Sequence, residues 1–221
     1  MNDIDAIQAR HSVRQYKNEP LSSEVIGALQ EEIDRCNKEG GLHIQLVTNE
    51  PKAFGGFMAH YGKFEGVTNY FALVGKKSDD LDERCGYYGE RLVLLSQKLG
   101  LNTCWVAMTY KKVPSAFRVL PGEKLALVIS VGYGKTEGVP HHSKDFSDVS
   151  HYDGEMPKWF QDGVSSALLA PTAINQQSFF LSGTGNTVSL KTGKGLYAKV
   201  DRGIVKLHFE LGAKTENFLW K

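Results

Sequence analysis

Apolar residues recur along the chain at helical spacing in some stretches and in short continuous runs in others. Ile4, Ala6 and Ile7 predict a short helix over residues 3–10. In "PLSSEVIGALQEEIDRCNKEGG", Val25, Ile26, Leu29, Ile33 and Cys36 share one helical face. Ser22 or Ser23 can cap that helix, Glu24 suits its first turn, and Gly40 and Gly41 stop it. The runs "HIQLVT" and "NYFALVG" predict strands. Residues 79–100 predict the longest helix, with Leu81, Cys85, Tyr88, Leu92, Leu95 and Leu99 stepping by four or three. Gly86 and Gly89 inside it cost roughly 1 kcal/mol each, which points to close approach of another backbone or ring, or to helix packing.

"CWVAMTY" and "KLALVISVGYG" follow as buried strands. Residues 135–153 are polar and irregular and read as a hinge. "EMPKWFQDGVSSALLAP" predicts a helix stopped by Pro171. "SFFLSG", "TVSLK" and "LYAKV" are strand candidates, with Gly193 and Gly195 marking a hairpin between the last two. "DRGIVKLHFELGA" fits both periods: Val205, Leu207, Phe209 and Leu211 alternate, whereas Ile204, His208 and Leu211 can share a helix face. No internal repeat or low-complexity segment is evident. Interleaved helices and strands give an α+β or α/β class.

Composition narrows the function classes. At 221 residues, 41% hydrophobic, the chain can bury one sizeable core. A net charge of +1, from 26 basic and 25 acidic residues, argues against a nucleic-acid partner. The absence of a long apolar run argues against a membrane span, and the opening "MNDIDAIQARH" lacks the core of a signal peptide. Cys36, Cys85 and Cys104 are odd in number and form no CxxC pair, which suits reduced thiols and a cytoplasmic location.

Three stretches carry candidate chemistry. "RHSVRQY" places Arg10, His11, Ser12 and Arg14 together; if extended, Arg10, Ser12 and Arg14 point the same way and suit one compact anion such as phosphate. A solvated helix end is the plainer alternative. "LGLNTCWVAMT" opens an apolar strand in which small Ala107 lets a flat ring approach, although Trp105 and Cys104 also suit a packed core. "APTAINQQSFF" groups Pro171, Thr172, Asn175, Gln176 and Gln177, whose amides can read a heteroaromatic edge or simply serve their own turn.

Together the three resemble the nitroreductase family of flavin enzymes. The family pattern R-x-S-x-R-x-[YF] is matched by Arg10, Ser12, Arg14 and Tyr16. A second, close to G-L-G-T-C-W-[IV]-[GA], is matched by Gly100, Leu101, Thr103, Cys104, Trp105, Val106 and Ala107, with Asn102 replacing a glycine. A third, A-P-[ST]-A-x-N-x-Q-x-[WF], is matched by Ala170, Pro171, Thr172, Ala173, Asn175, Gln177 and Phe179. In most of the family that third segment follows the first long helix; here that place holds "CNKEGGLHIQLVTNE". The chain therefore resembles a subgroup, found among anaerobic bacteria and thermophiles, in which the segment lies in a C-terminal extension.

The resemblance implies an α+β fold with a central mixed, mainly antiparallel sheet flanked by helices, in an interleaved homodimer. Residues 1–150 would form the main body, and 151–221 an extension completing the flavin site within one integrated domain. The implied cofactor is FMN. Arg10, His11, Ser12 and Arg14 would serve its phosphate and ribityl chain, with Lys144 as a second phosphate contact. Trp105, Val106 and Ala107 would face the ring from one side, and Pro171, Thr172, Ala173, Asn175 and Gln177 from another. The implied activity is two-step hydride transfer from NAD(P)H to a small nitroaromatic, quinone or similar acceptor, with the chemistry on the flavin and neither a side-chain catalyst nor a metal. The alternative is a flavin-binding sensor or storage protein without turnover.

Overall fold

A computed structural model describes residues 1–221 and divides them into two compact units. One comprises Arg10–Leu81 and Leu92–Pro140; the other comprises Met1–Ala9, Asp82–Arg91 and His141–Lys221. The class is α+β, with antiparallel sheet and helices.

The first unit is built on a four-stranded sheet. Its strands are β1 (Gln45–Val47), β2 (Tyr70–Lys76), β3 (Asn102–Val106) and β4 (Glu123–Gly132), in the order β1-β2-β4-β3, all neighbours antiparallel. Residues 70–75 of β2 are buried without alternation, as expected of a strand covered on both faces. Helix α2 (Ser23–Gly40) begins where the caps predict: Ser22 Oγ accepts from Val25 N–H at 3.2 Å. It ends at Gly41, whose left-handed φ of 57° closes the helix. Its buried face is Leu29, Ile33 and Cys36. A five-residue helix, α3 (Phe57–Tyr61), stands before β2 with Phe57 and Tyr61 exposed.

The chain then enters α4 (Leu81–Lys98), whose first half lies in the second unit. That unit also holds α1 (Asp3–Ala9), α5 (Phe146–Val149), α6 (Lys158–Ala167) and α7 (Ala198–Ala213). Its sheet has the order β5-β6-β7-β8, from β5 (Ser150–Asp153), β6 (Phe179–Thr184), β7 (Thr187–Thr192) and β8 (Leu219–Trp220). The β6–β7 pair is antiparallel, and the two outer pairs are parallel. No helix is long and apolar enough to cross a membrane.

The structure departs from the sequence expectation in three places. The end of the polar stretch 135–153 folds as α5 and β5 rather than as an irregular hinge, because Ser150–Asp153 pair with Leu181–Thr184. The hairpin lies between β6 and β7, where Gly185 takes a φ of 54°, and not at Gly193 and Gly195. "LYAKV" is not a strand but leads into α7, and "DRGIVKLHFELGA" is helical throughout most of its length. The ambiguity has a physical cause. Ala198, Val200, Asp201, Gly203, Ile204, Val205, Leu207, His208 and Phe209 are all buried, so the buried face takes up more than half of the helix, leaves only the narrow stripe Lys199, Arg202, Lys206 and Glu210, and fits both periods.

A repeat also emerges. Apart from the five-residue α3 between β1 and β2, the order helix, strand, strand, helix, strand occurs as α2-β1-β2-α4-β3 and again as α6-β6-β7-α7-β8. In both, the first two strands are antiparallel, and the last runs parallel to the second. The second set lacks a counterpart of β4, so β8 pairs with β7 directly. The helices align as "LVLLSQKLG" (92–100) and "IVKLHFELG" (204–212), sharing a Val, two Leu and the final Gly. Four identities in nine, spread over helices of different burial, fall below what sequence periodicity exposes.

Within the second unit the helical glycines have a clear use. A Cβ at Gly86 would lie 2.1 Å from Val200 O, and one at Gly203 would lie 2.0 Å from Glu83 O. The first half of α4 and the start of α7 thus touch backbone to backbone, so Gly86 serves helix packing. Beside this contact, His208 is fully buried, with Nδ1 3.1 Å from the Ser166 carbonyl and Nε2 2.9 Å from Glu90 Oε1. The carbonyl only accepts, so Nδ1 carries a hydrogen and Nε2 faces the carboxylate.

Gly203→Ala is expected to destabilise the protein by about 1–3 kcal/mol, since two backbones must separate to admit a methyl group. Denaturant unfolding of the variant reads this directly; an unchanged midpoint and slope would show that the helices do not touch there.

Candidate functional site

The arginine–serine segment is fixed by the sheet of the first unit. Val13 N–H donates to Thr103 O at 3.0 Å, and Ser12 bridges Thr103 in parallel register, so residues 12–13 lie along the outer edge of β3. Further along, Tyr16 N–H donates to Glu65 O at 2.9 Å and Lys17 N–H to Tyr133 O at 2.8 Å. Extended backbone alternates sides: Val13 and Tyr16 are buried, and Ser12 and Arg14 are exposed. Arg10, at the end of α1, is 4% exposed, so it does not share the open side of Ser12 and Arg14. His11 is half-buried.

Tyr16 anchors the segment. Its hydroxyl donates to Val13 O at 2.7 Å and meets Ser130 Oγ at 2.9 Å, inside the core formed by Val13, Val47, Tyr70, Cys104 and Val128. Burial, with the nearby Cys104, raises the phenol well above its ordinary range, so it acts as a neutral donor. Arg14 stands over the Phe64 ring with its guanidinium carbon 6.0 Å from the centroid.

The second motif is the strand to which this segment pairs. Cys104 and Val106 are buried, while Trp105 and Ala107 are half-buried. Burial pushes the Cys104 thiol up; Arg14, a hydrogen bond with Ser12, and Arg10 oppose it. All three polar groups of the first motif thus act electrostatically on the Cys104 thiol, Ser12 through a hydrogen bond. The structure brings Arg10, His11, Ser12, Arg14, Trp105, Val106 and Ala107 together in one unit, as a basic cluster beside an apolar strand. Two arginines and a hydroxyl suit an anion with several oxygens.

The third motif lies in the second unit, between α6 and β6. Its backbone is unusual: Ile174, Asn175 and Gln177 have φ of 49°, 56° and 42°. Left-handed backbone at a β-branched residue is a real outlier, and such positions cost on the order of 1–3 kcal/mol each. The loop is held by its own side chains together with residues 142–144. Gln177 N–H donates to Thr172 Oγ1 at 3.0 Å. The buried Gln177 amide donates to His142 O at 2.9 Å and to Asn175 Oδ1 at 3.0 Å, and accepts from Lys144 N–H at 2.8 Å. Asn175 Nδ2 also donates to His142 O, at 2.9 Å, and Lys144 Nζ donates to Gln177 O at 3.0 Å. Lys144, Thr172, Ala173, Asn175 and Gln177 are thus brought together, with half-buried Pro171 at the entry to the loop. The reading of this stretch as a turn serving its own backbone describes part of what is seen.

Sequence reasoning missed Asp201. Its carboxylate accepts from Ala173 N–H at 3.0 Å and from Gln176 Nε2 at 2.7 Å. Burial raises its pKa, and those two hydrogen bonds pull it back. The signal was present: Asp201 falls three and four residues before Ile204 and Val205 and seven before His208, a charge on an apolar helical face. Phe64, under Arg14, has no comparable signature.

The raised Cys104 pKa keeps the thiol protonated at neutral pH, and Cys36 and Cys85 are also buried. Alkylation of the native protein at pH 8 is therefore expected to label none of the three cysteines quickly, and all three after unfolding. Rapid native labelling at Cys104 would show an open, thiolate-favouring site instead.

A model of the family described as "Putative TM nitroreductase" matches residues 2–213. Among solved structures, the chain is similar to a "putative nitroreductase" of Thermotoga maritima at 22% identity and a TM-score of 0.65, covering 96% of this chain and 83% of that one. It is similar to a protein of Bacteroides thetaiotaomicron described as NADH dehydrogenase/NAD(P)H nitroreductase, at 19% identity and a TM-score of 0.50, over 69% of this chain and 98% of that one. A third, from Desulfovibrio desulfuricans, is described as in complex with FMN; identity is 14%, TM-score 0.52, and coverage 67% and 94%. At these identities the likeness is one of fold. No curated protein matches the chain.

Proposed function

The chain belongs to the nitroreductase family described as "Putative TM nitroreductase", and on that premise we propose that it is an FMN-dependent oxidoreductase moving hydride from NAD(P)H to a nitroaromatic, quinone or similar small acceptor. The observation that supports the reading is the pairing of Ser12 and Val13 with β3 at Thr103, next to the apolar Cys104–Ala107 run, with Arg10 and Arg14 flanking the paired residues in sequence. The Desulfovibrio relative described with FMN supports the cofactor, and the Bacteroides relative's description supports the reductant.

The residues fit the cofactor's chemistry. A phosphate needs several charged or hydroxyl donors, and Arg10, Ser12 and Arg14 supply them; His11 adds a ring nitrogen. Trp105, Val106 and Ala107 offer an apolar run with backbone N–H groups that can stabilise negative charge on a reduced ring. Thr172, Ala173, Asn175 and Pro171 are proposed from their motif to serve the ring as well, and Lys144 and Gln177 to shape that loop. When bound, the flavin supplies hydride acceptance and donation, the step no side chain here performs. The protein's part is to bind, orient and exclude water, so the reductant and acceptor are proposed to use the site in turn.

The test is FMN affinity and turnover. Arg10→Ala is expected to weaken FMN binding by roughly 30- to 150-fold, the equivalent of about 2–3 kcal/mol, and Arg10→Lys to restore part of it, because a point charge cannot fork. Fluorescence titration with FMN measures both; unchanged affinity in Arg10→Ala would remove the phosphate assignment. NAD(P)H oxidation with menadione or a nitrofuran then separates an enzyme from a flavin-binding protein without turnover. The homodimer is proposed on the resemblance alone. Light scattering of the FMN-loaded chain is expected to give twice the monomer mass of 24.5 kDa, and a loaded monomer would overturn it.

A further inference from the structure

The loop 172–177 holds three left-handed non-glycine residues within four positions, and Ile174 at its tip is 96% exposed. Strained backbone of this kind persists only where surrounding groups over-determine it, and it clusters at ligand clamps and switches. Two sets of contacts do the holding. Residues 142–144 fix the Asn175–Gln177 side through His142 O and Lys144. The Thr172–Gln176 side is fixed from outside the loop by Asp201 in the first turn of α7.

Asp201 is suited to this. It is 6% exposed on the buried face of its helix, so its carboxylate has a fixed position. One oxygen takes Ala173 N–H and the other takes Gln176 Nε2, so the pair spans the residue with the most strained backbone, Ile174. Both bonds are charge-assisted, about twice as strong as neutral ones. No motif includes Asp201, and it lies 28 and 25 residues along the chain from its two partners.

We propose that Asp201 is a positioning residue: its carboxylate holds the backbone of 173–176 in the conformation that the loop needs in order to meet a flavin. This rests on the flavin reading above. Asp201 itself touches no reacting atom; it acts through Ala173 N–H and the Gln176 amide.

The test compares Asp201→Ala and Asp201→Asn in the full chain. Asp201→Ala is expected to expose the amide hydrogens of Ala173 and Gln177 to exchange, while the amides of the α7 core stay protected. It is expected to weaken FMN binding about tenfold to a hundredfold and to change the visible circular dichroism of bound flavin. Asp201→Asn is expected to retain FMN within a few-fold, because its carbonyl oxygen still accepts from Ala173 N–H and the Gln176 amide can turn its oxygen to meet the new NH2. Native exchange at Ala173 in Asp201→Ala, or FMN affinity and dichroism equal to the unsubstituted chain, would overturn the proposal. Equal losses in both variants would overturn it too, since they report packing rather than the accepted hydrogen bonds. A chain that binds no FMN before substitution overturns the flavin reading separately, and the exchange pattern then still decides whether Asp201 holds the loop.

Discussion

The hydrogen bond from Val13 N–H to the Thr103 carbonyl sets the geometry of the first unit's basic cluster. β3 is the last strand of its sheet, and without the 12–16 segment its outer edge would present unpaired backbone groups. Covering that edge with an extended segment fixes the register of alternation. Val13 turns inward, so Ser12 and Arg14 turn outward, and both stand beside Cys104. Tyr16 locks the far end by placing its hydroxyl between Val13 O and Ser130. A slip of one residue would bury Ser12 and Arg14 and expose Val13, so one edge pairing decides where the charge goes.

The same economy governs the second unit, with helices in place of strands. Gly86 and Gly203 let the backbones of α4 and α7 meet, and that closeness brings Glu90 to His208 with no exposed atom on either residue. Asp201 is carried on the same buried helix, so the fixity of α7 is passed to the 173–176 loop through two hydrogen bonds. A surface helix would leave that carboxylate to water and the loop to its intrinsic preferences, which do not include left-handed isoleucine.

Much of this was legible in the sequence where a local rule acts alone. Ser22 and Gly41 bound α2, and the apolar runs of β2 and β4 announced covered strands. The motif stretches identified the two segments of the first unit that pair with each other. What stayed hidden depended on tertiary packing. α7 shows strand-like alternation because its apolar face is wide and its polar stripe, Lys199, Arg202, Lys206 and Glu210, is narrow; "LYAKV" straddles the start of that helix, with Leu196 still outside it. The likeness of the two element orders is faint in the sequence, since only Val, two Leu and Gly coincide in nine positions. The orientation of Arg10 was not legible either. Spacing put it in phase with Ser12 and Arg14, but α1 runs to Ala9, so Arg10 leaves a helix rather than a strand and is buried.

The third motif leaves two roles open to its amides, reading a ring edge or serving their own turn. In the folded chain the Gln177 amide is fully engaged with His142, Asn175 and Lys144, and one face of Asn175 is taken by His142 and Gln177. Thr172 Oγ1 accepts from Gln177 N–H. Those side chains build the loop, and what the loop presents outward is Ile174, part of Asn175 and strained backbone. A-P-T-A-x-N-x-Q is thus first a specification for a shape, and its chemistry toward any ligand comes from the surface that this shape exposes. The residue that keeps the shape under strain, Asp201, lies outside the pattern, because the buried face of a packed helix is a better fixed point than the loop's own ends.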